Sequence, residues 1–116
     1  MAADDAQVAV IGGGVVGCAV AHALARRGVA ATVLEAERAL ALGASGTNSG
    51  ILHTGFDSKP GELETELILR AAELRRDGSR LVPGESVTAP GAFVAALAGA
   101  ARAGGATVRV DSRVVA

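Results

Sequence analysis

A chain of 116 residues has room for one modest core and no separate substrate domain. Half of its residues are hydrophobic and its mean hydropathy is +0.40, which excludes a disordered tail. Eleven basic against twelve acidic residues give a net charge of −1, with no footprint for nucleic acid and no polybasic surface for anionic lipid.

Aromatic residues make up 2% of the chain and Trp and Tyr are missing, so the core must be built from Ala, Val, Leu and Ile. Such a core packs by close backbone approach, in keeping with sixteen glycines. One cysteine, Cys18, forms no internal disulfide, and a reducing cytoplasm is the expected compartment. Asp4 and Asp5 stand where a signal peptide carries positive charge. The apolar run Val8–Ile11 is too short to span a bilayer and is broken by Gly12–Gly14, so there is no strong membrane signal.

In chain order, Gln7–Ile11 is a continuous apolar run ending at glycine, which predicts a strand buried on both faces. Val15–Arg27 has helical period with Val16, Val20 and Leu24 near one face, and Gly28 follows as a left-handed cap. Ala30–Leu34 predicts a second buried strand, closed by Glu35. Strand, glycine turn, helix and strand within about thirty residues make a right-handed βαβ unit with parallel strands.

Ala36–Gly50 is rich in Gly, Ala and Ser and reads as a loop, with Ile51–Thr54 as a brief extended piece. Pro60-Gly61-Glu62 predicts a helix running to about Arg76, with Leu63, Leu67, Ala71 and Leu74 on one stripe and Asp77-Gly78 as its stop. A further helix from Pro90 to about Ala103 places Phe93, Leu97 and Ala100 together. Gly104-Gly105 ends it, and Ala106–Val110 forms the third strand. That strand should pair beside the second, giving an α/β fold with a three-stranded parallel sheet of order 3-2-1.

Gly12-Gly13-Gly14-Val15-Val16-Gly17 satisfies G-x-G-x-x-G. The pattern alone also fits a glycine turn in an unrelated α/β domain. Its setting is more specific, because it follows a strand, opens a helix and precedes an acid about twenty residues on. Gly12 suits the tight turn, Gly14 the approach of a pyrophosphate, and Gly17 the close packing of helix on sheet. The first helical turn, at Val15 and Val16, offers unpaired N–H groups and a positive dipole end to phosphate. Glu35, followed by Ala36, can accept hydrogen bonds from ribose 2′- and 3′-hydroxyls and would repel a 2′-phosphate. This unit does not separate FAD from NAD.

The next stretch does. Gly43-Ala44-Ser45-Gly46-Thr47-Asn48-Ser49-Gly50-Ile51-Leu52-His53-Thr54-Gly55, followed by Pro60-Gly61-Glu62-Leu63, resembles the FAD-dependent oxidoreductases that include D-amino-acid oxidase, glycine oxidase, glycerol-3-phosphate dehydrogenase and L-2-hydroxyglutarate dehydrogenase. The resemblance is close from Val8 to about Arg76 and looser from Val82 to Val114, and it is strongest to the glycerol-3-phosphate and 2-hydroxyglutarate branch. It implies a Rossmann-type FAD-binding fold, with FAD as cofactor and a small hydroxy acid or polyol phosphate as substrate. Ser45, Thr47, Asn48 and Ser49 would then line the pyrophosphate and lead to the flavin, although loop composition alone also fits a solvent loop. His53 would lie near the flavin, either as the general base for a substrate hydroxyl while hydride leaves for the flavin, or only as a hydrogen-bonding group of the loop.

Cys18 reads as a core residue and His22 as a surface or packing residue. No His/Cys cluster has metal-ligand spacing. Arg70, Arg75, Arg76 and Arg80 with Glu62, Glu64, Glu66 and Glu73 make a solvated helix face. Set against complete members of the resembled family, residues 1–116 read as an incomplete FAD-binding domain fragment, truncated or internally deleted, without the substrate domain and the closing FAD segment. Such a chain is expected to show no turnover alone, and turnover by it would mean that a partner subunit or oligomer supplies the absent walls. An L-2-hydroxyglutarate-type dehydrogenase and a non-catalytic nucleotide-binding remnant are the alternative readings.

Overall fold

The computed structural model describes residues 6–55, 57–74 and 86–115. The chain forms two compact units, Met1–Asn48 with Ala89–Ala116, and Ser49–Thr88.

In the first unit, strand β1 (Val8–Ile11) leads through the glycine turn into helix α1 (Val15–Ala25), and strand β2 (Ala31–Leu34) returns beside β1. The two strands pair in parallel, Val8 opposite Ala31 and Ile11 opposite Leu34. Gly28, at φ +74°, makes the turn after α1 where a left-handed residue is needed. The helix itself stops two residues earlier than its periodicity suggests, with Arg26 as its C-cap.

The second unit holds strand β3 (Ile51–Leu52), helix α2 (Leu63–Leu74) and strand β4 (Ser86–Val87), with β3 and β4 antiparallel. That pairing has no signal in the sequence, because two-residue strands carry no period. Pro60 and Gly61 form a turn ahead of α2 instead of its first turn, and Gly61 takes φ +87°. Thr65 anchors the helix start by donating its hydroxyl to the Lys59 carbonyl, while Glu64 and Glu66 complement the helix dipole. The expected stop at Asp77-Gly78 lies outside the described residues.

Helix α3 (Pro90–Ala103) opens on proline, whose missing N–H costs nothing in a first turn, and leads to strand β5 (Thr107–Arg109). β5 pairs in parallel with β2, so the sheet order is β1-β2-β5, which is the 3-2-1 order the sequence predicts for its three main strands.

Four expectations about buried faces need correction, those for α1, α3, β1 and α2, and close approach at Gly17 underlies the first two. A Cβ on Gly17 would strike the Gly12 carbonyl and stand 3.3 Å from Val10 Cγ1, so Gly17 is the point where α1 touches the strand. Helical spacing then turns Ala21 and Ala25 inward with Cys18 beside them, and all three are buried. Val16 and Val20 turn outward, Val16 to 73% exposure. α3 meets this small-residue face with Val94, Ala98 and Ala101, one position beyond the predicted Phe93, Leu97 and Ala100.

β1 is not buried on both faces. Val10, Val33 and Val108 face the two helices, whereas Ile11 is 71% exposed. The largest fully buried side chains are Val33, Val94 and Cys18, so this is a core of small groups, and Leu and Ile stay at its margin. The α2 stripe is likewise exposed: Leu63, Leu67 and Leu74 face outward and Thr65 is the buried residue of that helix.

Candidate functional site: the N-terminus of α1

The site begins where β1 runs out. Gly12 adopts φ +105° and donates its N–H to the Leu34 carbonyl at 2.9 Å, which ties the turn to the end of β2. A side-chain-bearing residue is strained at that φ. Gly14 is the extended N-cap of α1 and brings no capping side chain of its own. The cap comes from the loop instead: Ser45 Oγ accepts the Val15 N–H at 2.9 Å. A Cβ on Gly14 would lie 2.8 Å from that hydroxyl, so Gly14 leaves the space at the helix terminus open to it.

Gly13, an unassigned position of the motif, is the one of its four glycines that is buried. A Cβ there would strike the Leu40 side chain and stand 3.1 Å from Glu35 Oε2. Its N–H donates to Glu35 Oε2 at 2.7 Å and its carbonyl accepts from the Ala41 N–H at 3.2 Å. A glycine run with acid twenty-two residues on contained this signal, but only packing shows that Gly13 itself is constrained.

Glu35, at the end of β2, therefore has both oxygens engaged: Oε2 by Gly13 and Oε1 by the Glu37 N–H at 2.9 Å. The Glu37 and Gly13 hydrogen bonds, in that order, hold its carboxyl below the usual carboxylate range. Arg113 lowers it further and partial burial opposes the shift. The result is an ionised, oriented carboxylate with lone pairs to spare, since each oxygen has two.

The loop folds down on this turn. Leu40 and Ala41 pack with Val15 and Leu97 against buried Cys18, Val94 and Ala98. Ala41 takes φ +61°, an uncommon value for a residue with a side chain, and Gly46 lies so close to the Ala41 carbonyl that no Cβ fits. Burial pushes the Cys18 thiol pKa up, as suits an inert core residue.

The structure thus gathers Gly12, Gly14, Val15, Gly17, Glu35 and Ser45 at one end of α1. Val16 stands exposed on the first turn and Ala36 is half-buried beside the acid. Thr47 turns its hydroxyl to the Gly43 and Ala44 carbonyls, both at 3.4 Å, and Asn48 is exposed. Ser49 and His53 belong to the second unit. There His53 Nδ1 stands 3.7 Å from Asp57 Oδ1, a neighbour that sequence reading passed over. Among the described residues there is no cluster of three or more metal-ligating side chains, and no helix is long and apolar enough to cross a membrane.

A parallel βαβ unit whose glycine turn bares a helix N-terminus, with an ionised acid closing the second strand, defines a dinucleotide-binding domain. Residues 7–81, more than half of the chain, match the family described as FAD dependent oxidoreductase, and the chain belongs to that family. FAD is its cofactor. The residues present fit the ADP half of that group: α1 supplies N–H donors, Gly14 clearance, Ser45 a hydroxyl and Glu35 an oriented acceptor.

The chain is 43% identical over 56 residues to glycerol 3-phosphate oxidase of Mycoplasma pneumoniae, covering 48% of this chain and 15% of that protein. It is 42% identical over 69 residues to mitochondrial L-2-hydroxyglutarate dehydrogenase of Nematostella vectensis, covering 58% of this chain and 15% of the relative. The fold matches the dithionite-reduced, FAD-bound L-alpha-glycerophosphate oxidase from Mycoplasma pneumoniae with a TM-score of 0.78 at 19% identity, over 93% of this chain and 45% of the other. The chain therefore spans 15% of the length of these curated relatives.

Proposed function

We propose that this chain is the FAD-binding part of an oxidoreductase that takes hydride from a small hydroxy substrate of the glycerol 3-phosphate type. FAD, when bound, supplies the two-electron acceptor. The chain's own residues bind and orient. The N–H groups of the first turn of α1, with Ser45, hold pyrophosphate, and Glu35 accepts the ribose hydroxyls. Ala36, Thr47, Asn48 and Ser49 line the loop beside them. His53 takes the substrate hydroxyl proton as general base, on the strength of its place in the Asn48–Gly55 motif. A reducing cytoplasm belongs to this reading, on the single buried thiol of Cys18.

The observation that carries the reading is the Glu35 carboxylate fixed by Gly13 N–H beside the open end of α1, within a stretch that matches the family. A 2-hydroxy-acid substrate is the second reading, favoured by the 42% identity to an L-2-hydroxyglutarate dehydrogenase. The first test is equilibrium binding of FAD and ADP to the purified chain, with flavin absorbance followed through purification. Tight FAD binding with a retained yellow chromophore supports a flavoprotein. Equal affinity for ADP and FAD, with no chromophore, points to a remnant that holds only the nucleotide half. Oxidation of glycerol 3-phosphate against L-2-hydroxyglutarate, followed with a dye acceptor, then separates the two substrate readings.

A further inference from the structure

His53 is followed by a turn that the structure fixes from two sides. Gly55 takes φ +86°, in the left-handed region, and a Cβ there would stand 3.2 Å from Leu69 Cδ2 of α2. Backbone and packing therefore both select glycine at this position. Three residues on, Ser58 returns twice to one acceptor. Its N–H and its hydroxyl both donate to the Gly55 carbonyl, at 3.3 and 3.0 Å. These bonds close the chain around Asp57 and bring its carboxylate back toward His53, where Oδ1 faces Nδ1 at 3.7 Å. The neighbouring cation, Lys59, is 4.0 Å from Glu62.

From this geometry we infer that Asp57 is the positioning residue for His53: it holds the imidazole with its proton on Nδ1 and leaves Nε2 as the basic nitrogen. The inference rests on the reading of His53 as general base and deepens it. A neutral imidazole carries one N–H and one lone pair. A lone pair on Nδ1 facing a carboxylate is repelled, whereas an N–H dipole there is attracted, so the carboxylate selects the tautomer. At 3.7 Å this is charge–dipole attraction and not a hydrogen bond, and such contacts tighten when substrate closes a site. When Nε2 takes the hydroxyl proton, the substrate O–H bond breaks, an Nε2–H bond forms, and the ring becomes an imidazolium facing the Asp57 carboxylate. Asp57 touches no reacting atom and acts only through His53.

The test is the tautomer itself, read in the uniformly ¹⁵N-labelled chain by long-range ¹H–¹⁵N correlation of the imidazoles at alkaline pH. The wild-type spectrum should show a larger share of the Nδ1–H form at His53 than the Asp57→Ala spectrum does. Asp57→Ala should lower the ratio of Nδ1–H to Nε2–H by about threefold, the scale of an exposed charge pair. Asp57→Glu should restore part of it, and His22 should not move in either variant. Asp57 is exposed, so neither change threatens the fold. A His53 ratio that is the same in wild type and Asp57→Ala overturns the assignment. This readout needs no turnover, so it stands apart from the base reading, which His53→Gln in an assay of substrate oxidation tests by itself.

Discussion

The two compact units carry their candidate residues in opposite ways. In the first unit, Gly13, Val15, Glu35 and Ser45 meet through hydrogen bonds of 2.7 to 2.9 Å, over a floor of buried Cys18, Val94 and Ala98. In the second unit, His53 and Asp57 stand 3.7 Å apart with their side chains 42% and 63% exposed. The first region is preorganised: its donors and acceptors are set before any ligand arrives, so little ordering is left to oppose binding. The second is positioned by a turn and not enclosed by packing, so water and salt screen its charges. The comparison separates the residues proposed to recognise the nucleotide from those proposed to act on substrate.

The sharpest way to break the comparison is at Gly17. In an ordinary helix Gly→Ala stabilises by about 1 kcal/mol. Here the added methyl meets the Gly12 carbonyl, and Gly17→Ala is expected to destabilise by about 3 kcal/mol, as overpacking does. Urea unfolding decides the sign. A raised midpoint would mean that the helix does not lie as close to the glycine turn as described.

Next in size is Glu35→Ala, which should weaken ADP binding by ~1–3 kcal/mol through lost charge-assisted hydrogen bonds. Isothermal titration calorimetry measures it, and an unchanged affinity would remove Glu35 from the ribose. The acid also sharpens the comparison through pH. Its folded pKa is lowered, so its stabilising contribution is complete above the ordinary carboxylate range, about 4.3, and is lost as pH falls through the lower folded value. Denaturant midpoints followed from neutral into acid should therefore fall less steeply in Glu35→Gln than in wild type. Parallel curves would show that the carboxylate is not held as Gly13 and Glu37 hold it.

The smallest effect is predicted on the other unit. Leu67 is 61% exposed although it lies on the apolar stripe of α2, so Leu67→Ala should change stability by less than about 0.5 kcal/mol. A loss of about 2 kcal/mol or more, the scale of a buried leucine, would mean that the stripe is covered in solution.

Much of the site was legible because it depends on local chemistry. Gly12 needs a left-handed φ, Gly14 and Gly17 need the missing Cβ, and Glu35 needs only to end the second strand. Each need shows as a residue type at a fixed spacing. Gly13, Leu40 and Asp57 were not legible, since their parts come from contacts across the chain: a glycine under a leucine twenty-seven positions later, and a carboxylate returned by a turn. Ser45 was readable as a small hydroxyl in a glycine-rich loop. Its place as the cap of α1 was not, because the twenty-nine residues between it and Val15 carry no period that sets their path.

The sequence by itself determined the element order, the parallel βαβ unit, the 3-2-1 pairing and the residue types that suit a dinucleotide, since these follow from apolar period, turn chemistry and the handedness of crossovers. Only the tertiary structure decided which face of each helix is inside. Periodicity places apolar groups on a stripe but does not say which of two adjacent stripes meets the sheet. Close approach at Gly17 chose the stripe of Cys18, Ala21 and Ala25 over that of the larger Val16 and Val20, because two helices and a sheet packed around so few bulky groups come together through their smallest side chains.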